Sequence, residues 1–206
     1  MFGVSYAPEM YQNILKQVLQ ECEGAHNIMD DIVIHATTEE EHNSMFEKVV
    51  KVLSEKGFTF NREKCKFKMS HLEFMGHVLS AHGVGPAEVK VKAVLEACEP
   101  KNATEVLSFL GLVNFKAPFI PYLATVSAPL RKLTKSKEPF HWGSEQQIEL
   151  KKRLRNAGML GYFDKTATTT VIADASQVGL GAVLVQQQDK DARVISYASR
   201  SLSENE

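Results

Sequence analysis

Apolar residues recur at helical spacing near the start of the chain, at Met10, Ile14, Val18 and Leu19, and predict a helix from about Ala7 to near Gln20. The stretch His26-Asn27-Ile28-Met29-Asp30-Asp31-Ile32-Val33-Ile34 then places apolar residues on both sides of two acids and predicts a hairpin. Thr38-Glu39-Glu40-Glu41 is a capping box that opens a second helix, with Phe46, Val49, Val50 and Leu53 on one face and Gly57 at its stop. Phe58 to Phe60 predicts a short strand. From Lys64 to Met69 polar and apolar residues alternate strictly, which predicts a strand with Lys64, Lys66 and Lys68 on one face and Cys65, Phe67 and Met69 on the other. Leu72 to Leu79 continues in strand-like fashion, with Gly76 at a bend.

Helical patterns dominate the middle. Pro86 opens a region carrying Val91, Val94, Leu95 and Cys98, and Pro100 closes it. Asn102 to Glu105 begins a helix backed by Val106, Phe109, Leu110 and Val113. Further helices are expected around Val126 to Leu133 and from Ser144, where Gln147 completes a capping box and Ile148, Leu150 and Leu154 provide contacts. The last fifty residues change period: Thr168 to Ser176, Ala182 to Val185 and Arg193 to Ala198 predict a three-stranded meander.

Composition adds little beyond exclusions. The 206 residues are 44% hydrophobic and 24% charged with a net charge of -1, as in an ordinary globular protein. Nucleic-acid binding therefore requires local positive charge, and Arg62 to Lys68, Arg131 to Lys137 and Lys151 to Arg155 supply three clusters that otherwise read as solvated faces. Three scattered cysteines suggest a reducing compartment, hence an intracellular, cytoplasmic location. His71, His77 and His82 near Cys65 fit no common zinc spacing. No apolar run is long enough for a membrane span, so no membrane partner is expected.

The acids carry the candidate chemistry. Adjacent ionised carboxylates repel each other and lose hydration when strands pack around them, so Asp30 and Asp31 point to a divalent cation that neutralises them. Asp is also a common turn residue, which leaves a plain hydrophilic turn as the competing reading.

The order of landmarks resembles the reverse transcriptase and ribonuclease H region of gypsy-like LTR retrotransposon Pol polyproteins across essentially the whole chain. Phe2-Gly3-Val4-Ser5-Tyr6-Ala7-Pro8-Glu9-Met10-Tyr11-Gln12 is similar to the family's nucleotide- and template-contacting palm segment, Asp30-Asp31-Ile32 to its metal-binding hairpin, and Phe74-Met75-Gly76-His77 to its primer grip. Asn61 to Phe67 resembles the segment after the following helix, Ser108-Phe109-Leu110-Gly111 the thumb, and Phe140-His141-Trp142 the linker. Ala173-Asp174-Ala175-Ser176 and Tyr197 to Leu202 resemble the first and third ribonuclease H strands.

The resemblance implies an α+β fold: a partial palm with an antiparallel hairpin over residues 1–84, a helical thumb over 85–137, and a connection with the opening antiparallel strands of a ribonuclease H-like domain over 138–206. It implies Mg2+ at two-metal sites, with Asp30 and Asp31 serving nucleotidyl transfer and Asp174 serving hydrolysis of RNA in RNA/DNA hybrids. Phe2, Gly3, Gln12 and Lys64 would contact nucleotide or template, and Met75, Gly76 and His77 the primer. RNA template, DNA primer, RNA/DNA hybrid and dNTP are the implied partners, within a retroelement particle. The family's third polymerase Asp lies upstream of Met1 and further ribonuclease H acids lie beyond Glu206, so each site is expected to be incomplete and the chain inactive alone. Ile28 stands where many relatives carry Tyr, and Pro118, where Arg is usual, is expected to shorten or bend the thumb helix. The alternative is a domesticated, non-catalytic nucleic-acid-binding or interaction module.

Overall fold

The computed structural model describes residues 5–135, 140–188 and 191–202. Its architecture is α+β, and the chain divides into two compact units, residues 1–68 and 69–206.

In the first unit, helix α1 (Ala7–Val18) leads to strands β1 (Ala25–Ile28) and β2 (Asp31–Ile34), followed by helix α2 (Glu39–Glu55). β1 and β2 pair antiparallel, His26 opposite Val33 and Ile28 opposite Asp31, so the turn is only Met29–Asp30. Ala25, Ile32 and Ile34 join Leu15, Leu19, Val49 and Leu53 in the core, while the other hairpin face is left open. The buried stripe of α1 is thus set by Leu15 and Leu19, and the expected Met10 and Ile14 are instead exposed.

The capping box on α2 forms as read: Glu41 N–H donates to Thr38 Oγ1 at 3.2 Å and the Glu41 carboxylate accepts from the Thr38 N–H at 3.3 Å. Thr38→Ala removes one half of this reciprocal pair and is expected to lower unfolding free energy by about 1 kcal/mol in urea titration. No strand forms at Phe58 to Phe60 or at Lys64 to Met69. A strand needs a partner, and the alternating segment has none. It begins instead as a 3-10 turn, Arg62–Lys64, capped by Asn61, and its side chains dock on α2 through the edge-to-face pair Phe46–Phe67 and the ion pair Lys68–Glu39.

The second unit contains two three-stranded sheets. β3 (His71–Phe74), β4 (His77–Ser80) and β5 (Gly83–Pro86) form the first as an antiparallel meander. Helices α3 (Glu88–Leu95), α4 (Ala103–Asn114), α5 (Leu123–Lys132) and α6 (Ser144–Arg155) follow. Pro86 therefore ends a strand, and the helix starts at Glu88. Val94, Val106, Phe109, Leu123, Leu150 and Leu154 build the helical core. α4 ends at Asn114, and Pro118 lies in the 3-10 turn Ala117–Phe119, where its missing N–H costs nothing to the helix. α6 carries no side-chain cap at its N-cap Gly143; Gln147 is buried and donates to the Ala97 carbonyl at 3.3 Å, and Ile148 faces out.

The second sheet is β6 (Thr168–Ser176), β7 (Gly179–Gln188) and β8 (Asp191–Ser201), in the order β6-β7-β8. It is tied to the helices at α5, whose own N-cap Tyr122 provides no side-chain cap: the Ala124 N–H donates to Ser199 Oγ of β8 at 3.0 Å. Leu160 and Gly161 join the two sheets. Leu160 exchanges two backbone hydrogen bonds of 2.8 Å with Val84 of β5, and the Gly161 N–H donates to the Val194 carbonyl of β8 at 2.7 Å. Among the described residues, no helix is long and apolar enough to cross a membrane.

Candidate metal and nucleic-acid sites

The hairpin places Asp30 in the turn and Asp31 at the first position of β2, both exposed. This corrects the expectation that strands pack around them: the pair is hydrated at a tip, and desolvation is not what makes it costly. What remains is mutual repulsion and unused acceptor capacity, since no side chain among the described residues bonds either carboxylate. Asp31 shares the open hairpin face with His26, Ile28, Val33 and His35, because directly opposed residues and alternate residues of a strand lie on one side.

Gln12 fixes the tip. Its amide nitrogen donates to the Asn27 carbonyl at 3.0 Å, its amide oxygen accepts the Met29 N–H, and its own carbonyl accepts from the Asn27 side chain at 3.4 Å. The Met29 backbone, at φ 54°, is held in a left-handed conformation next to the first acid. The polar atoms of Gln12 are thus committed to the hairpin, a positioning task that the sequence did not reveal. Gln12→Ala orphans the Met29 N–H and is expected to lower stability by about 1 kcal/mol, with faster amide exchange confined to residues 27–31.

Lys64 closes the 3-10 turn with an exposed side chain, and Lys66 and Lys68 do not line up with it on a strand face. Phe2 and Gly3 lie outside the described residues.

In the second unit, Met75 and Gly76 form a two-residue turn between β3 and β4, closed by the pair Phe74–His77. Both turn residues have positive φ, 50° and 75°, the mirror-image turn that matches strand twist. Met75 is exposed at the tip. Beneath it lies a residue outside the candidate set: Lys116, 1% exposed, donates from Nζ to the Gly76 carbonyl at 3.1 Å. Its ammonium also sits 4.9 Å from the Phe115 ring centre and 6.0 Å from that of Phe119. His77 stacks on Phe115 at 5.4 Å, and its buried Nδ1 has no hydrogen-bond partner. Burial holds the Lys116 amine below its usual 10.5, with Lys90 acting in the same direction and Glu73 opposing. Burial, and then the Lys116 charge, likewise keep the His77 imidazole below 6.5. A lone lysine inside Phe115-Lys116-Ala117-Pro118-Phe119-Ile120 was the available signal.

Asp174 lies on the exposed edge strand β6 opposite Gly181 of β7. A side-chain atom at Gly181 would approach the Tyr122 ring to 3.1 Å, so Asp174 occupies the sheet face that receives Tyr122. It is on a different sheet from Met75–His77. The basic clusters are partly spent on the fold: Lys151 donates to the Ala97 carbonyl at 2.9 Å, Arg153 pairs with Glu149 at 2.8 Å, and Arg131 donates to Ser127 at 3.1 Å. Lys132, Lys152 and Arg155 remain exposed.

Comparison with known proteins matches residues 1–79 to "Reverse transcriptase (RNA-dependent DNA polymerase)" and residues 142–206 to "RNase H-like domain found in reverse transcriptase". The Transposon Tf2-3 and Tf2-4 polyproteins of Schizosaccharomyces pombe are each 34% identical over 98% of the chain, which spans 16% of their length. Among solved structures, the foamy viral protease-reverse transcriptase in complex with dsDNA matches all of the chain with a TM-score of 0.87 at 25% identity, and the chain covers 44% of it. The same viral protein in complex with RNA/DNA hybrid matches 99% of the chain with a TM-score of 0.86 at 25% identity, and 28% of it is covered.

Proposed function

The chain belongs to the reverse transcriptase and ribonuclease H-like region of gypsy-type LTR retrotransposon polyproteins, and we propose that it contributes three parts to that machinery. These are the acid pair of the nucleotidyl-transfer centre, a turn that grips the primer, and the first carboxylate of the RNA-hydrolysing centre. In this reading residues 1–84 belong to the palm, 85–137 to the thumb, and 138–206 to the connection and ribonuclease H-like domain, working in a cytoplasmic retroelement particle.

The observation that carries the reading is the presentation of Asp30 and Asp31, uncommitted and adjacent, at a hairpin tip held by Gln12. Two hard oxygen donors fit Mg2+, which usually keeps waters and takes substrate phosphates for its remaining positions. When bound, Mg2+ would supply charge neutralisation at the attacking and leaving oxygens. The chain's own residues orient: Gln12 fixes the direction of the tip, and the Met75–Gly76 turn presents an exposed apolar side chain and backbone to the primer strand. Asp174 sits on an accessible edge where a hybrid can reach it. Exposed Lys132, Lys152 and Arg155 would meet phosphates. Among the described residues no third carboxylate joins either site, so the chain by itself is expected not to turn over.

Fluorescence anisotropy with an RNA-template/DNA-primer duplex tests the proposal. The expected result is binding that weakens steeply with salt, as neutralised phosphates release counterions, and that Mg2+ strengthens in wild type but not in the Asp30→Asn, Asp31→Asn double variant. Binding that is undetectable or insensitive to salt, or an Mg2+ response retained in the variant, would overturn it. Primer extension by the chain, abolished by Asp31→Asn, would show that it is a complete catalyst and would refute the expectation of inactivity.

A further inference from the structure

His26 and His35 form a pair that the function above does not use. His26 lies on β1 opposite Val33, and His35 follows β2, with its N–H donating to the Gly24 carbonyl at 2.9 Å. The two histidines are thus diagonal neighbours on the open face of the hairpin, within reach of each other as long side chains at that offset are. Their Nε2 atoms are 3.1 Å apart. The ring planes are within 15° of parallel and the centres are 5.2 Å apart, so the rings meet edge to edge through these nitrogens rather than face to face. Both side chains are exposed.

We propose that His26 and His35 form a bidentate site for a borderline divalent transition metal such as Zn2+, Ni2+ or Cu2+, clamping the two strands below the acid pair. Two imidazole nitrogens each about 2.0–2.1 Å from a tetrahedral metal stand about 3.4 Å apart, so metal entry widens the observed gap a little and turns each ring by about 35° to bring its lone pair off the N–N line onto the metal. With no metal the nitrogens can share one proton: one ring donates N–H and the other offers its lone pair. Metal entry displaces that hydrogen bond: the donor ring moves its proton from Nε2 to Nδ1 by exchange with water, so both imidazoles bind the metal as neutral ligands through Nε2. Burial and the neighbouring His26 hold His35 below its usual 6.5, which favours the neutral ring that a metal requires. Imidazole selects these metals over Mg2+, which prefers the oxygens of Asp30 and Asp31, so the two ends of one hairpin face would take different ions. Water would complete the coordination, because no third His, Cys, Asp or Glu forms a cluster there among the described residues.

The test is Ni2+ titration of the full chain by calorimetry, alone and as His26→Asn, His35→Asn and the Asp30→Asn, Asp31→Asn double variant. Each histidine variant is expected to lose at least about tenfold in affinity for the tightest site, while the aspartate variant keeps it. Unchanged affinity in both histidine variants would overturn the proposal. Paramagnetic broadening by Ni2+ in the NMR spectrum of the wild-type chain gives an answer that does not depend on variants folding. Broadening centred on residues 25–26 and 34–36, and not on the tip at 29–31, supports the site. Broadening elsewhere only, as around Cys98, refutes it. Because these readouts need neither nucleic acid nor Mg2+, their failure leaves the polymerase reading standing, and its failure leaves them intact.

Discussion

Gly83→Ala is expected to destabilise the second unit by about 3 kcal/mol or more, measured as a lower urea midpoint, because two independent faults coincide at one atom. Gly83 has φ +132°, a region that side chains avoid, which alone costs about 1–3 kcal/mol. An added Cβ would also lie 2.1 Å from the Leu160 carbonyl oxygen and 3.1 Å from its carbon. Backbone cannot swing aside as a side chain can, so β5 must separate from Leu160. That separation breaks the paired bonds between Val84 and Leu160, and with them the route from the β3–β5 sheet through Gly161 to Val194. The functional consequence follows from what the sheet carries. The Met75–Gly76 turn sits at one end of β4, and Gly83 pairs with Ser80 at the other. Loss of hydrogen-exchange protection should therefore spread from residues 83–85 to 160–161 and 194, while the first unit keeps its own. A shift under about 1 kcal/mol would mean that Leu160 is held only loosely.

The hairpin, α2 and the final meander were legible because each states its period and its ends in consecutive residues. Thr38 and Glu41 define a cap within four positions, and the apolar runs flanking Asp30–Asp31 leave room only for a tight turn. Lys64 to Met69 misled for a physical reason: alternation describes a ribbon with two faces, but pairing partners are non-local, and Phe67 found Phe46 on a helix instead. Ile148 misled in the same way, since helical spacing reports which residues share a face and not which face is covered. The site's supports were hidden for another reason. Gln12 acts across 15 residues on Asn27 and Lys116 across 40 on Gly76, and neither reach is encoded in local pattern. Lys116 still obeyed the logic that singled out the acid pair, because a charge set among apolar residues asks what compensates it.

That compensation is weak, and the variants of Lys116 should show it. Lys116→Ala is expected to cost about 2–4 kcal/mol, from the lost packing of a long buried stem, while the Gly76 carbonyl keeps its bond from the Ala87 N–H at 3.1 Å. Lys116→Met keeps the volume and removes the buried charge, so it should cost under about 1 kcal/mol. The difference isolates packing from charge. The amine's folded pKa is depressed below the unfolded 10.5 by burial, so between the two values the unfolded chain binds more protons and stability rises with pH. Below the folded value both states are protonated and this slope vanishes. Wild type minus Lys116→Met, followed by urea titration from pH 7 to 10.5, should therefore gain stability toward the alkaline end. His77 behaves likewise at lower pH: its neutral ring favours the folded state, and that contribution is lost as pH falls from 6.5 through its depressed folded value. A flat alkaline difference would show that Lys116 is charged at no cost. The two rings and one carbonyl would then suffice to solvate the ammonium beneath the turn.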